Sequence, residues 1–244
     1  MNYSFLQCGE GALTVHLGDG IDPAINRRVT ALQGAIGSAG LRGITDLIPA
    51  YADLTVCYDC TVISAKALQR QLRRLLDSLS VAEQDRRRVF RLPVCYGGDY
   101  GPDLDFVCHH SGLSAQEVIA LHSAPDYLIY MLGFLPGFAY LGGLDPRLHT
   151  PRLDSPRTCI PAGSVGIGGA QTGVYPLASP GGWQLLGRTP VSVFDRQRPE
   201  PILYRAGDLV HFVPISPAEY EEIARAVAAG TYTVQVEEVP VCDC

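Results

Sequence analysis

With 244 residues, 47% of them hydrophobic and 18% charged, the chain is long and apolar enough to bury a sizeable core, which excludes an intrinsically disordered protein. Its net charge of -6 and the lack of a basic stripe argue against nucleic acid as a partner, because phosphate binding requires a positively charged surface. No apolar run reaches the roughly 18 residues of a membrane span and no secretory signal is present, so we expect a cytoplasmic protein with no membrane partner.

The first 90 residues predict a small α+β domain. Two strand-like segments flank Gly9-Glu10-Gly11, a connection typical of a hairpin. Asp22-Pro23 predicts the start of a helix that runs to about Ser38, and Ser64 predicts the start of a second helix with a leucine-rich face. Two more strand-like segments lie between the helices, which gives the order ββαββα. We therefore expect an α+β sandwich over residues 1–90, with both helices on one face of an antiparallel sheet.

A short basic run, DRRR at 85–88, lies between this domain and the rest of the chain, and RVFRLPV follows as a further strand or connection. The arginines could bind phosphate, but so short a run beside a strand usually faces water. We interpret it as a solvated boundary.

Residues 91–244 predict a second domain of different composition. Two short helices, the second with a capping box of Ser114 and Glu117, precede the buried strand DYLIYML. Residues 133–190 contain 12 glycines and 8 prolines in 58 positions, yet aromatic residues occur throughout, which argues against a disordered linker. We expect a loop-rich β-barrel with strands at SVGIG, GWQLLG, PVSVF and DLVHFVP, then a helix capped by Ser216 and Glu219 and a closing strand TYTVQVEEV.

The eight cysteines predict free thiols, because the chain has no secretory signal. Cys57 and Cys60 form a CxxC in a strand-like segment, where their spacing places the thiols on opposite faces. They could bind zinc together with Cys242 and Cys244, but a distant CxC is a weak signal and frayed tail cysteines are the better interpretation.

Most standard catalytic motifs are absent from the sequence. The chain has one lysine, Lys66, and no GxxxxGK[ST] motif, which excludes a Walker-type nucleotide site. AGSVG at 162–166 has Ala162 where GxSxG requires glycine, so its spacing gives little support to Ser164 as a nucleophile. The histidines lack metal-site spacing, and we expect no metal centre on this chain.

Arginines and glycine turns remain as candidate binding groups between residues 151 and 190. Arg152 and Arg157 each follow a proline, and Ser164 and Gln171 lie close to glycine turns. A guanidinium is a planar fork of donors suited to a carboxylate or phosphate, so these residues could form an anion-binding wall. The arginines could equally tie barrel loops to backbone carbonyl groups, and spacing alone does not distinguish the two.

The segment GFLPGFAYLGG at 133–143 sets aromatic residues among helix and strand breakers. Such aromatics belong more often to a core than to a binding site. We interpret the segment as a bent loop at the barrel rim, where Phe138 and Tyr140 close a pocket or a subunit contact.

Five segments carry a resemblance to the KipI / allophanate hydrolase subunit 1 family: YMLGFLPGFAYLGGLDPRL, PRLDSPR, IPAGSVGIGGAQTGVYP, SPGGWQLLGRTP and AGDLVHF. The resemblance implies a small α+β N-terminal domain and a cyclophilin-like β-barrel C-terminal domain. The branch that this chain resembles most acts with a KipA-type C subunit and an A subunit of another fold, and opens 5-oxoproline to glutamate using ATP. We therefore expect an enzyme subunit that is inactive alone. Replacing Phe138 and Tyr140 by alanine is then predicted to abolish its partner-dependent turnover without unfolding the isolated subunit.

The same resemblance implies which residues form the site. His122 matches a histidine of the family pattern and would handle protons, although a role as a helix-end cap is equally open. ATP with Mg would bind at a site shared with the partner, and a small lactam or amide would be the substrate. The residues implied to face a pocket completed by the partner are Arg152, Arg157, Ser164 and Gln171, and those implied to shape it are Phe138, Tyr140 and Trp183.

Two other functions stay open. One branch of the family inhibits a sensor histidine kinase through its barrel domain, and other members belong to allophanate- or urea-processing complexes. All of these proteins would keep the barrel and differ in their partner contacts.

Overall fold

The structure is a computed structural model that describes residues 3–79 and 86–240. Its contacts divide the chain into two compact units, Met1–Gln84 and Asp85–Cys244, while the sequence placed the boundary at residue 90. The difference arises because the strand that begins at Arg86 pairs only with strands of the second unit. Cys242 and Cys244, and with them the weaker four-cysteine alternative, lie outside the described residues.

The first unit is a four-stranded antiparallel sheet with two helices. The sheet order is β1-β2-β4-β3, and the predicted order ββαββα is confirmed. The elements are β1 (Ser4–Cys8), β2 (Ala12–His16), α1 (Pro23–Ala39), β3 (Ile44–Pro49), β4 (Asp53–Tyr58) and α2 (Ala65–Asp77).

Local sequence signals set the helix ends of the first unit. Asp22 Oδ1 accepts hydrogen bonds from the backbone N–H groups of Ala24 at 2.6 Å and Ile25 at 3.3 Å, and Ser64 accepts one from Ala67 at the start of α2. Gly40 ends α1 with a left-handed φ of 56°. The apolar faces of the two helices are buried against leucines and valines of β2 and β4, which forms one core.

The second unit contains most of the chain. Its elements are β5 (Arg86–Tyr96), α3 (Leu104–Ser111), α4 (Ala115–Ser123), β6 (Asp126–Leu132), β7 (Ala139–Gly142), a 3-10 turn (Pro146–Leu148), β8 (Arg157–Ile160), β9 (Ser164–Gly168), β10 (Gln171–Val174), β11 (Ser179–Gly181), β12 (Gln184–Arg188), β13 (Leu209–Ile215), α5 (Pro217–Ala228) and β14 (Gln235–Pro240).

The strands of the second unit close into a barrel. They follow the order β12-β9-β10-β7-β6-β13-β5, and β12 pairs with β5 to complete the ring. β14 pairs with the first half of β5 outside the ring, and β8 with β11 forms a separate two-stranded ribbon. The predicted architecture, an α+β sandwich followed by a β-barrel, is confirmed, and so are the capping boxes that begin α4 and α5.

Sequence patterns did not predict the shortest strands correctly. PVSVF at 190–194 is not a strand, because Phe194 forms only an isolated bridge with Ile202. The strands β7, β8, β10 and β11 were not predicted, since three or four residues rich in glycine and proline carry too little alternation to be recognised. Cys60 lies in a turn after β4 rather than in a strand, and the six cysteines of the described ranges are free thiols.

The basic run at 85–88 lies at the boundary between the two units, and its arginines belong to β5, while Asp85 itself lies outside the described residues. Arg88 forms a bidentate ion pair with the buried Asp208, with Nε–Oδ1 at 3.0 Å and Nη2–Oδ2 at 2.6 Å. Arg86 contacts Glu238 on the exposed edge. The interpretation of the run as a solvated boundary is therefore wrong for Arg88, whose charge stabilises the start of β13.

In the two described ranges, no helix combines the length and the apolar character needed to cross a bilayer.

Candidate functional site

A cavity of about 280 Å³ opens among the loops of the second unit. Its wall combines aromatic rings, one arginine and the glycines at the end of β11. We call it the aromatic cavity, and its principal lining residues are Phe134, Phe138, Tyr140, Arg152, Tyr175 and Trp183.

The aromatic wall is held together by edge-to-face ring contacts. The Phe138 ring lies 5.2 Å from Tyr140, 5.5 Å from Tyr175 and 5.5 Å from Trp183, measured between centroids. Such contacts prefer this geometry because the positive edge of one ring meets the negative face of another. The cluster is therefore a rigid surface, and the prediction that Phe138 and Tyr140 help to form a pocket agrees with where they lie.

Phe138 also belongs to a core, since only 2% of it is exposed. Removing so buried a ring costs about 3–5 kcal/mol of stability. The expectation that Phe138 and Tyr140 can both become alanine without unfolding the subunit does not fit this position.

The Trp183 ring fits into the wall because glycines lie beside it in the neighbouring strands. A Cβ atom on Gly168 would lie 2.2 Å from the indole Nε1 atom, so alanine at that position would displace the ring. A Cβ atom on Gly181 of β11 would likewise lie 2.6 Å from the Tyr175 hydroxyl oxygen. Two of the glycines that made the sequence look loop-rich thus leave room for the aromatic wall.

Arg152 provides the positive charge of the aromatic cavity. Its Cζ atom lies 5.9 Å from the centroid of the Trp183 ring, within the range of a cation–π contact. Its N–H groups have no hydrogen-bond or ion-pair partner among residues 3–79 and 86–240. The guanidinium therefore has donors to offer an anion at the mouth of the cavity, and its place in an anion-binding wall stays a prediction.

Phe134 lies at the mouth of the same cavity in an unusual backbone conformation. Its φ is 63°, in the left-handed region that bulky residues rarely adopt, and 63% of it is exposed. Hydrogen bonds from Leu135 N to Gly133 O at 2.7 Å and from Phe138 N to Leu135 O at 3.0 Å close the bend. Residues 133–138 thus form a bent loop that leads into β7, whereas Ala139–Gly142, expected in the same loop, form the strand itself.

Arg157 does not share the cavity with Arg152. Its Nη2 group donates to Asp103 Oδ1 at 2.6 Å, and its Nη1 group donates to the Trp183 carbonyl at 3.3 Å. The other oxygen of Asp103 accepts from Leu185 N at 2.6 Å. The expected convergence of the two guanidiniums on one cavity is not found, and the alternative role, tying loops to carbonyl groups, describes Arg157.

Ser164 and Gln171 lie on paired strands of the barrel, away from the wall of the aromatic cavity. Ser164 is buried at the start of β9, and Gln171 is half-buried at the start of β10. Neither lines the cavity. Their predicted role in facing the substrate pocket has no support from this geometry.

His122 lies inside the barrel unit, fully buried at the end of α4. Thr172 Oγ1 donates its one proton to Gly166 O, so it must accept from His122 Nε2 at 2.8 Å. The Nδ1 atom then accepts from the Tyr96 hydroxyl at 2.8 Å. Burial lowers the pKa of His122 to about 3, so the imidazole is neutral. A sealed neutral histidine away from the cavity does not fit the predicted proton-handling role.

The sequence did not single out Tyr175 or Asp103. Tyr175 follows the glycine-rich strand β10, and burial raises its pKa although Arg152 and Arg157 oppose the shift. Asp103 occupies the N-cap position of α3 but makes no capping bond, because its carboxylate is committed to Arg157 and Leu185. No local pattern could reveal a partner 54 positions away.

The aromatic cavity by itself does not fit ATP with Mg. Among residues 3–79 and 86–240, no group of three or more His, Cys, Asp or Glu side chains could hold a metal ion. The aromatic cavity offers a single unpaired guanidinium, whereas sites for Mg-bound nucleotides combine a backbone cradle, a lysine or arginine and metal-binding carboxylates.

Comparison with known proteins gives a consistent picture. The family model of the carboxyltransferase domain, subdomain C and D, matches residues 3–204. The B subunit of 5-oxoprolinase from Bacillus subtilis is 42% identical over 230 residues, which cover 90% of this chain and 96% of that protein. The B subunit of 5-oxoprolinase from Escherichia coli O157:H7 is 45% identical over 207 residues, which cover 84% of this chain and 93% of that protein.

Two solved structures with the same fold belong to longer chains. The protein TTHA0988 is 40% identical with a TM-score of 0.74, over 84% of this chain and 40% of its own. The Kluyveromyces lactis urea carboxylase has a TM-score of 0.83 over 97% of this chain and 24% of its own, at 23% identity, and supports the fold alone.

Proposed function

Because this chain belongs to the family of the carboxyltransferase domain, subdomain C and D, we propose that it is the B subunit of an ATP-dependent 5-oxoprolinase. In this proposal it acts in the cytoplasm with a KipA-type C subunit and an A subunit to convert 5-oxo-L-proline to L-glutamate. The observation that carries it is the identity of 42% and 45% to 5-oxoprolinase B subunits of two bacteria over most of both chains. Kinase inhibition and an allophanate- or urea-processing role lack comparable support.

The aromatic cavity suits the substrate of this reaction. 5-Oxoproline is a small ring with one carboxylate, and the cavity offers a rigid aromatic wall beside one available guanidinium. We place the ring against Phe138 and Trp183, with the carboxylate on Arg152 in a charge-assisted pair of hydrogen bonds.

The contribution of this chain is to bind and orient the lactam and to exclude water from one side of it. Because the aromatic cavity by itself does not fit ATP with Mg, we place the nucleotide at a site shared with the partner subunits. The subunit alone is then inactive, because it holds the substrate without the groups that activate it.

The test is reconstitution from purified subunits. The chain is mixed with the C and A subunits, and glutamate release from 5-oxoproline is measured with and without ATP. We expect release only when ATP and all three subunits are present. Stable association without any glutamate release, in a preparation where the B subunit of Bacillus subtilis restores it, would contradict the proposal.

Replacing Arg152 by glutamine is expected to raise the KM for 5-oxoproline by about tenfold or more, because a charge-assisted contact to the carboxylate is lost. Stability should change little, since Arg152 is exposed and its contact with the Trp183 face is a weak one. Trp183 is the only tryptophan of the chain, so its fluorescence reports 5-oxoproline binding directly.

Arg147→Gln is the matched control, because Arg147 is an exposed arginine paired with Asp145 outside the cavity wall. It should leave the fluorescence titration and the KM unchanged. If Arg152→Gln also leaves both unchanged, the carboxylate does not bind at Arg152.

A further inference from the structure

A second cavity, of about 170 Å³, lies in the barrel unit between the chain that follows β12 and the helix α5. Its polar lining includes Arg188, Thr189 and Tyr220, and its apolar lining includes Pro176, Val191 and Ala224. We call it the α5 cavity. It shares one residue, Tyr175, with the aromatic cavity, but its charged and hydroxyl groups are otherwise different ones.

Arg188 enters the α5 cavity as a fixed guanidinium. Its Nε group donates to the Ala162 carbonyl at 2.9 Å, which sets the orientation of the side chain. The two terminal nitrogens have no hydrogen-bond or ion-pair partner within the described parts of the chain. A guanidinium held by one bond, with its fork of donors left open, is preorganised to bind an oxyanion.

Two hydroxyl groups join Arg188 at the same cavity. Thr189 is buried, and its Oγ1 atom accepts from Val191 N at 3.2 Å, so its proton is left to donate. The Tyr220 hydroxyl has no hydrogen-bond partner in residues 3–79 and 86–240. The Tyr220 ring is fixed by a contact with Tyr100, with 4.4 Å between centroids. Three donors with spare capacity therefore line one space.

The rest of the α5 cavity favours an organic body of limited size. Pro176, Val191, Val193 and Ala224 give it an apolar side. Its volume of about 170 Å³ is close to the roughly 150 Å³ of an engineered protein cavity that holds benzene. An inorganic anion would leave the apolar side without contacts.

We propose that the α5 cavity binds a small organic carboxylate of about the size of benzoate. The carboxylate accepts hydrogen bonds from Arg188, Thr189 and Tyr220, and the apolar body packs against Val191, Val193 and Ala224. The proposal concerns a free small molecule, and the acidic side chain of a partner subunit is the competing source of the same carboxylate. It goes beyond the proposed enzymatic role and does not depend on it.

The experiment is isothermal titration calorimetry of the full chain with benzoate, and with benzamide as the uncharged probe of the same shape. We expect benzoate to bind and benzamide to bind at least about tenfold more weakly. Arg188→Gln should weaken benzoate binding by about tenfold or more. Tyr220→Phe should weaken it less, since one neutral donor is removed.

Two further variants test the binding site without removing a hydrogen-bond donor of the cavity. Ala224→Leu fills the cavity from α5 without removing a donor and should abolish benzoate binding. Arg196→Gln removes an exposed arginine that does not line the cavity and should change nothing. Thermal melts followed by circular dichroism establish that each variant is folded.

Several results would overturn the proposal. They are the absence of benzoate binding to the unaltered chain, equal binding of benzamide, or unchanged binding in folded Ala224→Leu. If Arg188→Gln instead prevents association with the C subunit while benzoate does not bind the unaltered chain, the carboxylate belongs to a partner and the small-molecule site is refuted.

Discussion

Replacing Asp103 by alanine is expected to lower the free energy of unfolding by roughly 3 kcal/mol, because the half-buried Arg157 guanidinium loses its counter-ion and the buried Leu185 N–H group loses its acceptor. The carboxylate accepts from Arg157 Nη2 and from Leu185 N, both at 2.6 Å, and Asp103 itself is buried. Without it, the Leu185 N–H group remains desolvated in β12, and the Arg157 charge is left only partly exposed to water. Breaking such a pair on one side costs more than the pair contributes as a whole.

The measurement is urea unfolding of the isolated protein. Asp103→Asn keeps an acceptor for Leu185 N and should lose less stability than alanine. The double replacement of Asp103 and Arg157 by alanine should lower the free energy of unfolding by less than the sum of the single changes, because the Arg157 charge without a counter-ion is also removed. Glu238→Ala, which breaks the exposed pair with Arg86, is the control and should change stability very little.

The same replacement is expected to disturb the aromatic cavity. Arg157 Nη1 donates to the Trp183 carbonyl, so an unanchored Arg157 no longer fixes the backbone beneath the indole. Trp183 fluorescence should therefore change in the folded Asp103→Ala protein. Additive costs and an unaltered emission spectrum would together show that the contact between Asp103 and Arg157 does not position this wall.

Between about pH 7 and about pH 5, His122 is expected to cost the protein roughly 2 kcal/mol of stability. In the unfolded chain it titrates near its ordinary pKa of 6.5, whereas burial lowers its pKa in the folded protein to about 3. Over this pH interval His122 becomes protonated in the unfolded chain and stays neutral in the folded protein. Stability is therefore full above the ordinary pKa and is lost as the pH falls, at a limiting rate of about 1.4 kcal/mol per pH unit.

Burial disfavours the protonated form of His122 in the folded protein, and the hydrogen bonds of the imidazole add to this effect. Protonation at Nδ1 would remove the acceptor of the Tyr96 hydroxyl and bury a charge beside the Phe212 ring, which stacks on the imidazole at 4.8 Å. Within residues 3–79 and 86–240, no carboxylate forms an ion pair with His122 that could offset this cost. Burial is the cause of the shift.

Urea unfolding of the unaltered protein and of His122→Gln at both pH values tests this expectation. The glutamine variant is less stable at neutral pH, but its loss on acidification should be smaller by roughly 2 kcal/mol. His109→Gln removes an exposed histidine of α3 and should keep the original pH dependence. Equal losses in the unaltered protein and in His122→Gln would mean that His122 does not titrate as its burial requires.

Much of the fold could be predicted from short stretches of sequence. Asp22 with Pro23, Ser64, and the pair of Ser114 with Glu117 begin helices where expected, because a cap acts within three or four residues of itself. The hairpin at Gly9 follows from the same kind of local energy. The prediction of a strand at 190–194 was wrong because alternating apolar residues also occur in buried loops, where no partner strand is present.

The candidate site could be predicted in part. The resemblance of five segments located the region and named Phe138, Tyr140, Arg152 and Trp183, all of which line the aromatic cavity. It also named His122, Ser164 and Gln171, which lie elsewhere. Membership of a motif indicates that a residue matters to the fold or the site, and it does not distinguish the two.

The sequence alone therefore determined the two-part architecture, the helix ends and the family, since each depends on local energies or on a long series of matching residues. Only the tertiary structure decided which arginine side chains are available to bind a ligand. Arg152 and Arg157 each follow a proline and look equivalent along the chain, yet closure of the barrel brings Asp103 to one of them and leaves the other over Trp183. The reason is physical: a guanidinium in reach of a buried carboxylate is neutralised by it, and reach is a property of the folded chain.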